Sequence, residues 1–511
     1  MAGPTLSSTI ARNSLWVGLD TGVSIVVSAV VSITAARLLG PDKLGQYHFV
    51  LWVAGLTTLL VHFGIPAATT RFAGEMVGQG KNAQALGLVR ATLRLQAAFA
   101  VVIVVPALVA LSLVAEPEQR LYASLVILSL VPHALMAIFT SGINATENSF
   151  HNVWPSISAN AILLIGSVAA LLTTGSLTFL AAALLLSRSI DAILRSWAFR
   201  HAWRQRFGEL TAEAVPLHVW PQLRRFCLQA VALWLLNAIV WDRSDMLFVK
   251  LFHGSAEIAF FSLSFNLMTQ ALVLPQVLVH ATGISMGVEQ GRDPARVGAV
   301  ALVAFKYLAL VSMPLVWGIA ALSPALVPLV YGEAYRGAVP VLAIAGAFAV
   351  ARALLGPAQR ALIVSDRQGT LIRIALLTGA LNVALDLLFV PAHAAAGAAL
   401  ANGVTQAIAA TAVWAVVCRN FGVRIPTAVL GRVALSALVV AGVAALIASR
   451  LAAVPALVVA PLVGVLLYGA LLRWTRALDA TDRGRLLPLV GLMPERLKAS
   501  YAWAIRTVTR G

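Results

Sequence analysis

About fourteen apolar stretches, each long enough to cross a bilayer as a helix, follow one another through these 511 residues with almost no polar sequence between them. A helix of roughly 20 apolar residues spans the hydrocarbon core, and lipid offers nothing else to satisfy the backbone polar groups. The stretches cover 13–39, 44–68, 90–115, 121–143, 153–172, 177–199, 225–249, 258–282, 298–322, 338–363, 370–390, 394–418, 430–449 and 452–472. Pro106, Pro132, Pro275, Pro314, Pro357 and Pro461 fall inside them and are expected to bend the helices without ending them. Charged residues are 11% of the chain, against about a quarter in a soluble domain. The expected fold is an all-α polytopic membrane protein. No secretory leader is expected, because residues 1–10 lack a basic start and the first apolar run is too long.

Positive charge alternates between the connections. One side carries Arg12; Arg71, Lys81, Arg90 and Arg94; Arg200, Arg204, Arg206, Arg224 and Arg225; Arg292 and Arg296; Arg360, Arg367 and Arg373; Arg419, Arg424 and Arg432; and the basic tail from Arg473. The other side holds only Arg37, Lys43, Arg120, Lys250, Arg336 and Arg450. The short connection 145–152 carries Glu147 and no basic residue. Lys and Arg concentrate in cytoplasmic loops, so both termini are expected inside. The net charge of +17 then reports topology and attraction to anionic headgroups, making membrane lipids expected partners. Nucleic acid is not expected, since the arginines are scattered over short loops. Cys227 and Cys418 sit at span ends with no disulfide or metal spacing. The tail alternates apolar clusters (Leu486, Leu487, Leu489 and Val490; Trp503 and Ile505) with basic residues and is expected to lie on the inner surface.

The chain matches itself at one constant offset. Gly40 falls on Gly254, Leu44 on Ile258, Tyr47 on Phe261 and Glu75 on Glu289. The shift covers six spans, so both copies have the same orientation: two parallel six-helix lobes plus two C-terminal helices. The expected organisation is an N-terminal lobe over 1–200, an inter-lobe cytoplasmic loop over 201–224, a C-terminal lobe over 225–420, two further spans over 421–474 and an amphipathic tail over 475–511. Two like-oriented lobes suggest rocking about a watery chamber that opens to each leaflet in turn.

The hairpin Ala35-Ala36-Arg37-Leu38-Leu39-Gly40-Pro41, with Leu44-Gly45-Gln46-Tyr47, His62-Phe63-Gly64-Ile65-Pro66 and Arg71-Phe72-Ala73-Gly74-Glu75, resembles the polysaccharide-export (O-antigen type) flippases of the multidrug/oligosaccharidyl-lipid/polysaccharide (MOP) exporter superfamily. Asp245 to Gly254, Phe261-Ser262-Leu263, Leu329 to Tyr335, and Leu381 to Pro391 leading into Gly397 to Ala401 carry the same resemblance over spans one to twelve. It implies a flippase for undecaprenyl-diphosphate-linked oligosaccharide, such as an O-antigen (lipopolysaccharide) or exopolysaccharide repeat unit, driven by a proton or sodium gradient in the bacterial cytoplasmic (inner) membrane. A polysaccharide polymerase would be a partner. Two features depart from the family pattern. Ala392-His393-Ala394 stands where relatives often place a glycine, and Leu15 to Asp20 lacks the early arginines of lipid II flippases. The second departure argues against a peptidoglycan precursor as cargo.

Moving a pyrophosphate and sugars through hydrocarbon needs fixed positive charge and hydrogen-bonding groups. Arg188, Arg195, Arg243, Lys306 and Arg352 lie inside spans, and Arg71 at the inner end of the second span could meet a headgroup or simply mark topology. Arg188, Asp191 and Arg195 share one helix face, as contacts for cargo or as a paired structural cluster. Lys306 and Arg352 fall near mid-depth by residue count, as phosphate contacts or as partners of Asp386 or Asp20. Asp242 and Asp245 share a face; with Asp20 and Asp386 they are candidates for ion coupling or for structural bonds. Asn144, Asn148, Asn152, Asn160 and Asn237 could contact sugars or join helices. No metal or cofactor is expected, as no His/Cys/Asp spacing or Gly-rich loop is present. The alternatives are a lipid II-type flippase, a cation or drug antiporter of the MATE kind and, because the connections are too short to carry catalytic carboxylates, with less support, a membrane glycan polymerase. The expected protein is a transporter, not an enzyme.

Overall fold

A computed structural model describes residues 6–146, 148–241, 244–487, 490 and 495–509. Among these residues there are helices and no strands. The chain forms two compact units, Met1–Ile239 and Val240–Gly511. The first holds α1 (Leu6–His62), α2 (Ile65–Gly78), α3 (Asn82–Val114), α4 (Pro117–Leu128), α5 (Leu130–Asn144), α6 (Phe150–Thr173), α7 (Leu177–Phe207) and nearly all of α8 (Val219–Trp241). The second holds α9 (Asp245–Phe252), α10 (Ser255–Ala271), α11 (Val273–Arg292), α12 (Arg296–Tyr331), α13 (Ala338–Val364), α14 (Gln368–Phe421), α15 (Thr427–Arg450), α16 (Ala453–Thr475), α17 (Ala480–Leu486) and α18 (Glu495–Val508).

Among the described residues ten helical segments, one of them α4 and α5 taken together, are long and apolar enough to cross a membrane. Two of them contain two spans each, because α1 turns at Gly40 (φ 74°, ψ 172°) and α14 at Ala394 (φ 48°, ψ −133°). The spans expected at 225–249 and 258–282 are each built from two shorter helices, α8 with α9 and α10 with α11. The protein is a multi-pass helical membrane protein.

At two helix breaks proline chemistry explains the interruption. The break at Ser129 precedes Pro132 by three residues, and that at Leu272 precedes Pro275 by three. Proline lacks the N–H that would close the preceding turn, and its ring crowds the carbonyl four residues back. Pro106, Pro314, Pro357 and Pro461 instead lie within unbroken helices.

The internal offset persists in the backbone. The positions that pair Gly40 with Gly254 also pair the end of α2, Gly78, with the end of α11, Arg292, and the start of α3, Asn82, with the start of α12, Arg296. In both copies the second span is made of two helices.

Many large apolar side chains face outward: Val114 is 86% exposed and Ile165 69%. Polar groups such as Gln96, Ser167, Asp245 and Asn382 are fully buried. That inversion is what lipid as solvent selects, since a polar group costs least where the protein supplies its partners. Small residues let helices close in. Gly64 (φ 72°) starts α2, and a Cβ built there would lie 3.0 Å from the Cys227 carbonyl oxygen, so α8 packs directly on this turn. Gly397 follows the turn in α14, where a Cβ would lie 2.3 Å from the Phe389 oxygen. The turn itself is held from α10 and from the C-terminal end of α9: Glu257 accepts from the Ala395 N–H at 3.1 Å and His253 Nε2 bonds the Val390 carbonyl at 2.8 Å.

Candidate functional site

Each unit contains a buried polar cluster built from several helices. In the first unit it is organised by α7, whose Arg188, Asp191 and Arg195 recur at helical spacing. Arg195 donates from Nε to Asp191 Oδ1 at 2.6 Å, and both side chains are about nine-tenths buried. Its Nη1 also reaches Thr140 Oγ1 at 3.0 Å and Asn152 Oδ1 at 3.4 Å; Asn152 in turn donates to Asn144 at 2.8 Å. Arg195 is therefore neutralised and fixed by three helices. Asp20, from α1, lies beside Asp191, and its Oδ1 is buried with no hydrogen-bond partner. Asn160 joins the same region by donating to Ser24 at 3.0 Å.

Arg188, two turns earlier on α7, is placed differently. Its Nη1 donates to Ser129 Oγ at 2.9 Å, and that hydroxyl donates onward to the Val126 carbonyl at 2.6 Å. Tyr47, His62 and His133 surround it closely enough to interact electrostatically. No carboxylate among the described residues pairs with it. The His62 and His133 rings stack with centroids 5.4 Å apart and planes 25° from parallel, and His62 Nε2 is buried without a hydrogen-bond partner.

The second unit's centre is acidic. Asp245, at the start of α9 and fully buried, accepts from Asn382 at 2.9 Å and from Asn402 at 3.0 Å. Asn382 also donates to Asp386 at 2.9 Å, and the two carboxyl groups lie within hydrogen-bonding reach of each other. Gln406 buttresses Asn402 at 2.6 Å. Neither carboxyl pairs with a cation among the described residues. Asn382 Oδ1, Asp386 Oδ1 and Thr405 Oγ1 are buried without partners. Carboxylate, amide and hydroxyl oxygens gathered this way suit a shared proton or a small hard cation. Arg352 borders a cavity of about 20 Å³ with Asn402, Gln406 and Phe348, room for roughly one water molecule.

The remaining expected residues separate. Lys306 departs from the expected mid-depth phosphate contact and from pairing with Asp386 or Asp20. Its Nζ meets Asp482 Oδ2 at 2.5 Å, and Tyr307 donates to Asp482 Oδ1 at 3.0 Å. Asp482 belongs to α17, so the tail folds back and neutralises this lysine; no pattern local to either residue signals that. Arg71 pairs with Glu75 at 3.1 Å with both side chains about half exposed, and lies over Phe72 and Phe226. Asp242 and Arg243 lie outside the described residues. His133, Asn402 and Gln406 were not singled out from the sequence, and His62 and Asn382 stood there only within the motifs that carry the family resemblance. Of these only Asn382 carried a local signal, four residues before Asp386 on one helix face.

A family model described as "Polysaccharide biosynthesis protein" matches residues 10–283. No curated protein matches. Among solved structures, the fold is similar to the lipid II flippase MurJ in an inward closed conformation, with TM-score 0.71 and 14% identity over 89% of this chain and 97% of that one. It is similar also to a multidrug resistance MATE family transporter of the MOP superfamily in an inward-facing conformation, with TM-score 0.67 and 15% identity over 78% and 94%. A MOP superfamily transporter from Pyrococcus furiosus gives TM-score 0.56 and 14% identity over 81% and 96%. At these identities the likeness is one of fold.

Proposed function

The chain belongs to the polysaccharide biosynthesis protein family, and from that premise we propose that it is a flippase carrying undecaprenyl-diphosphate-linked oligosaccharide from the inner to the outer leaflet of the bacterial cytoplasmic membrane. Arg188 carries the reading. A guanidinium within an apolar helical unit, with hydroxyl and imidazole neighbours but no carboxylate among the described residues, is a costly arrangement unless an anion completes it. A diphosphate offers that anion, and the fork of N–H donors fits phosphate oxygens. Asn144, Asn152 and Thr140 beside Arg195 supply hydrogen-bonding groups for sugar hydroxyls.

The Asp245–Asn382–Asp386–Asn402 centre is the coupling element in this reading, taking a proton or sodium ion whose gradient drives alternating exposure of the cargo. Both termini face the cytoplasm, as the distribution of basic loops requires. That same acidic centre favours a second reading, a cation antiporter, since buried carboxyls without basic partners attract cations. The uncompensated Arg188 weighs against it.

Fluorescent lipid-linked oligosaccharide in proteoliposomes tests the proposal. The protein should render the headgroup accessible from the opposite leaflet, and Arg188→Gln should slow this at least about tenfold, the equivalent of roughly 1.4 kcal/mol. An unchanged leaflet distribution with and without protein sinks the flippase reading. Movement of an organic cation in its place would establish the antiporter.

A further inference from the structure

Resting on the flippase reading for the choice of ligand, we propose that Arg188, His62 and His133 form an anion site inside the first unit that takes the diphosphate group together with a proton. Three observations converge. Ser129 occupies one donor of the Arg188 guanidinium and already donates its own proton to Val126, so it leaves the cation's charge unanswered. His62 Nε2 is buried with no partner beside that cation, and an orphaned polar atom costs free energy that a ligand oxygen would recover. The His62 ring stacks on His133, so one bound anion meets two imidazoles and a guanidinium at once.

The ionisable groups that act on the two rings and on Arg188 lie on α1, α5 and α7. From α1 comes Tyr47; Asp20, further along, lies beside Asp191. Besides Arg188, α7 contributes Arg195, which acts on His133 at longer range and is bound to Asp191. No acidic group among the described residues acts on either ring; Asp20, with its unpartnered Oδ1, acts on Asp191 instead. A diphosphate supplies the charge to balance an imidazolium. One proton moves from solvent onto an imidazole nitrogen as the anion enters, with no other bond made or broken. Linkage makes the effect reciprocal: the diphosphate favours the proton by the same factor that the proton favours the diphosphate. Cargo entry and proton uptake are thereby joined in the first unit, separately from the carboxyl pair of the second.

The test uses the full chain in detergent, with geranylgeranyl diphosphate and inorganic pyrophosphate as probes. Binding should weaken about tenfold or more in Arg188→Gln, and to a lesser extent in Arg188→Lys, which keeps the charge without the fork. Calorimetry in two buffers of different ionisation heat should count more protons taken up by wild type than by the His62→Gln/His133→Gln variant, between about pH 5 and 8. Should the double variant fail to fold, imidazole ¹⁵N shifts of the wild-type protein give the same answer, moving toward the imidazolium position at His62 or His133 when the probe is added. Unweakened binding in Arg188→Gln, or ring shifts that stay put, overturns the site. Tighter binding of the prenyl diphosphate assigns the site to a lipid headgroup; equal binding of pyrophosphate assigns it to a soluble diphosphate. A wild-type protein that flips lipid-linked oligosaccharide yet binds neither probe here defeats this inference alone. One that binds both and flips nothing defeats the flippase reading alone.

Discussion

Arg188 and Arg195 project from the same face of α7, but only Arg195 has a carboxylate, the 2.6 Å contact with Asp191. The two arginines should therefore separate stability from transport. Arg195→Ala strands a buried Asp191, a change that costs about 3–5 kcal/mol in comparable buried pairs. Arg188→Gln strands no acid. Thermal unfolding in detergent should show a large loss for the first and a small one for the second, while flipping falls in both. Equal destabilisation would mean that Arg188 has a structural counter-charge after all.

Asp245 and Asp386 share Asn382 with no basic partner among the described residues. Removing one charge from such a pair relieves repulsion, so Asp386→Asn should fold as well as wild type or better. If the pair is the coupling element, headgroup translocation in proteoliposomes should lose its response to imposed proton and sodium gradients while slow, gradient-independent exchange persists. A variant that still accelerates with either gradient removes the pair from that role.

Ala394 holds φ 48° and ψ −133°, a conformation that suits glycine. Residues held in such regions store about 1–3 kcal/mol of strain. Ala394→Gly should raise the unfolding temperature and Ala394→Val should lower it. The opposite order would show that the turn at Ala394 is set by Glu257 and His253 alone.

The tail should respond to acid. The backbone N–H of Asp482, donating at 2.9 Å, holds the Asp479 carboxyl below its usual range, with Lys306 adding to the effect. A depressed carboxyl stabilises the docked tail above its unfolded value, about 3.9, and that contribution disappears as pH falls through the lower, folded value. Hydrogen exchange over 480–486 should be slow at neutral pH and accelerate below about pH 4. Lys306→Ala, which leaves the 1%-exposed Asp482 side chain without its cation, should accelerate it already at neutral pH.

The membrane fold was legible because its signal is compositional and needs no knowledge of tertiary partners. The ends of helices were less so: α3 begins at Asn82, eight residues before the span expected at 90, because its first two turns are held helical by tertiary packing of Ala85, Leu86, Leu88 and Val89. Turns at Ser129 and Leu272 could be traced to Pro132 and Pro275, yet Pro314 and Pro357 bend nothing enough to interrupt a helix. For the polar centres, contacts within one helix were readable from spacing, as with Asp191 and Arg195. Contacts between distant segments were not. Depth estimated from position along α12 placed Lys306 in mid-membrane, and nothing near it revealed an aspartate 176 residues later. The stacking of His62 on His133 and the capture of Asp245 by Asn402 likewise arise only when remote helices meet.

The coincidence of helix ends between the two copies outlasts the side chains that might have matched. One architectural template, used twice, buries a guanidinium-and-imidazole cluster in its first use and a carboxyl–amide cluster in its second. A duplicated scaffold has in this way been given unlike polarity at its two hearts, and exchanging the centres between copies, rather than deleting either, would ask whether the backbone or the charge decides what each half can hold.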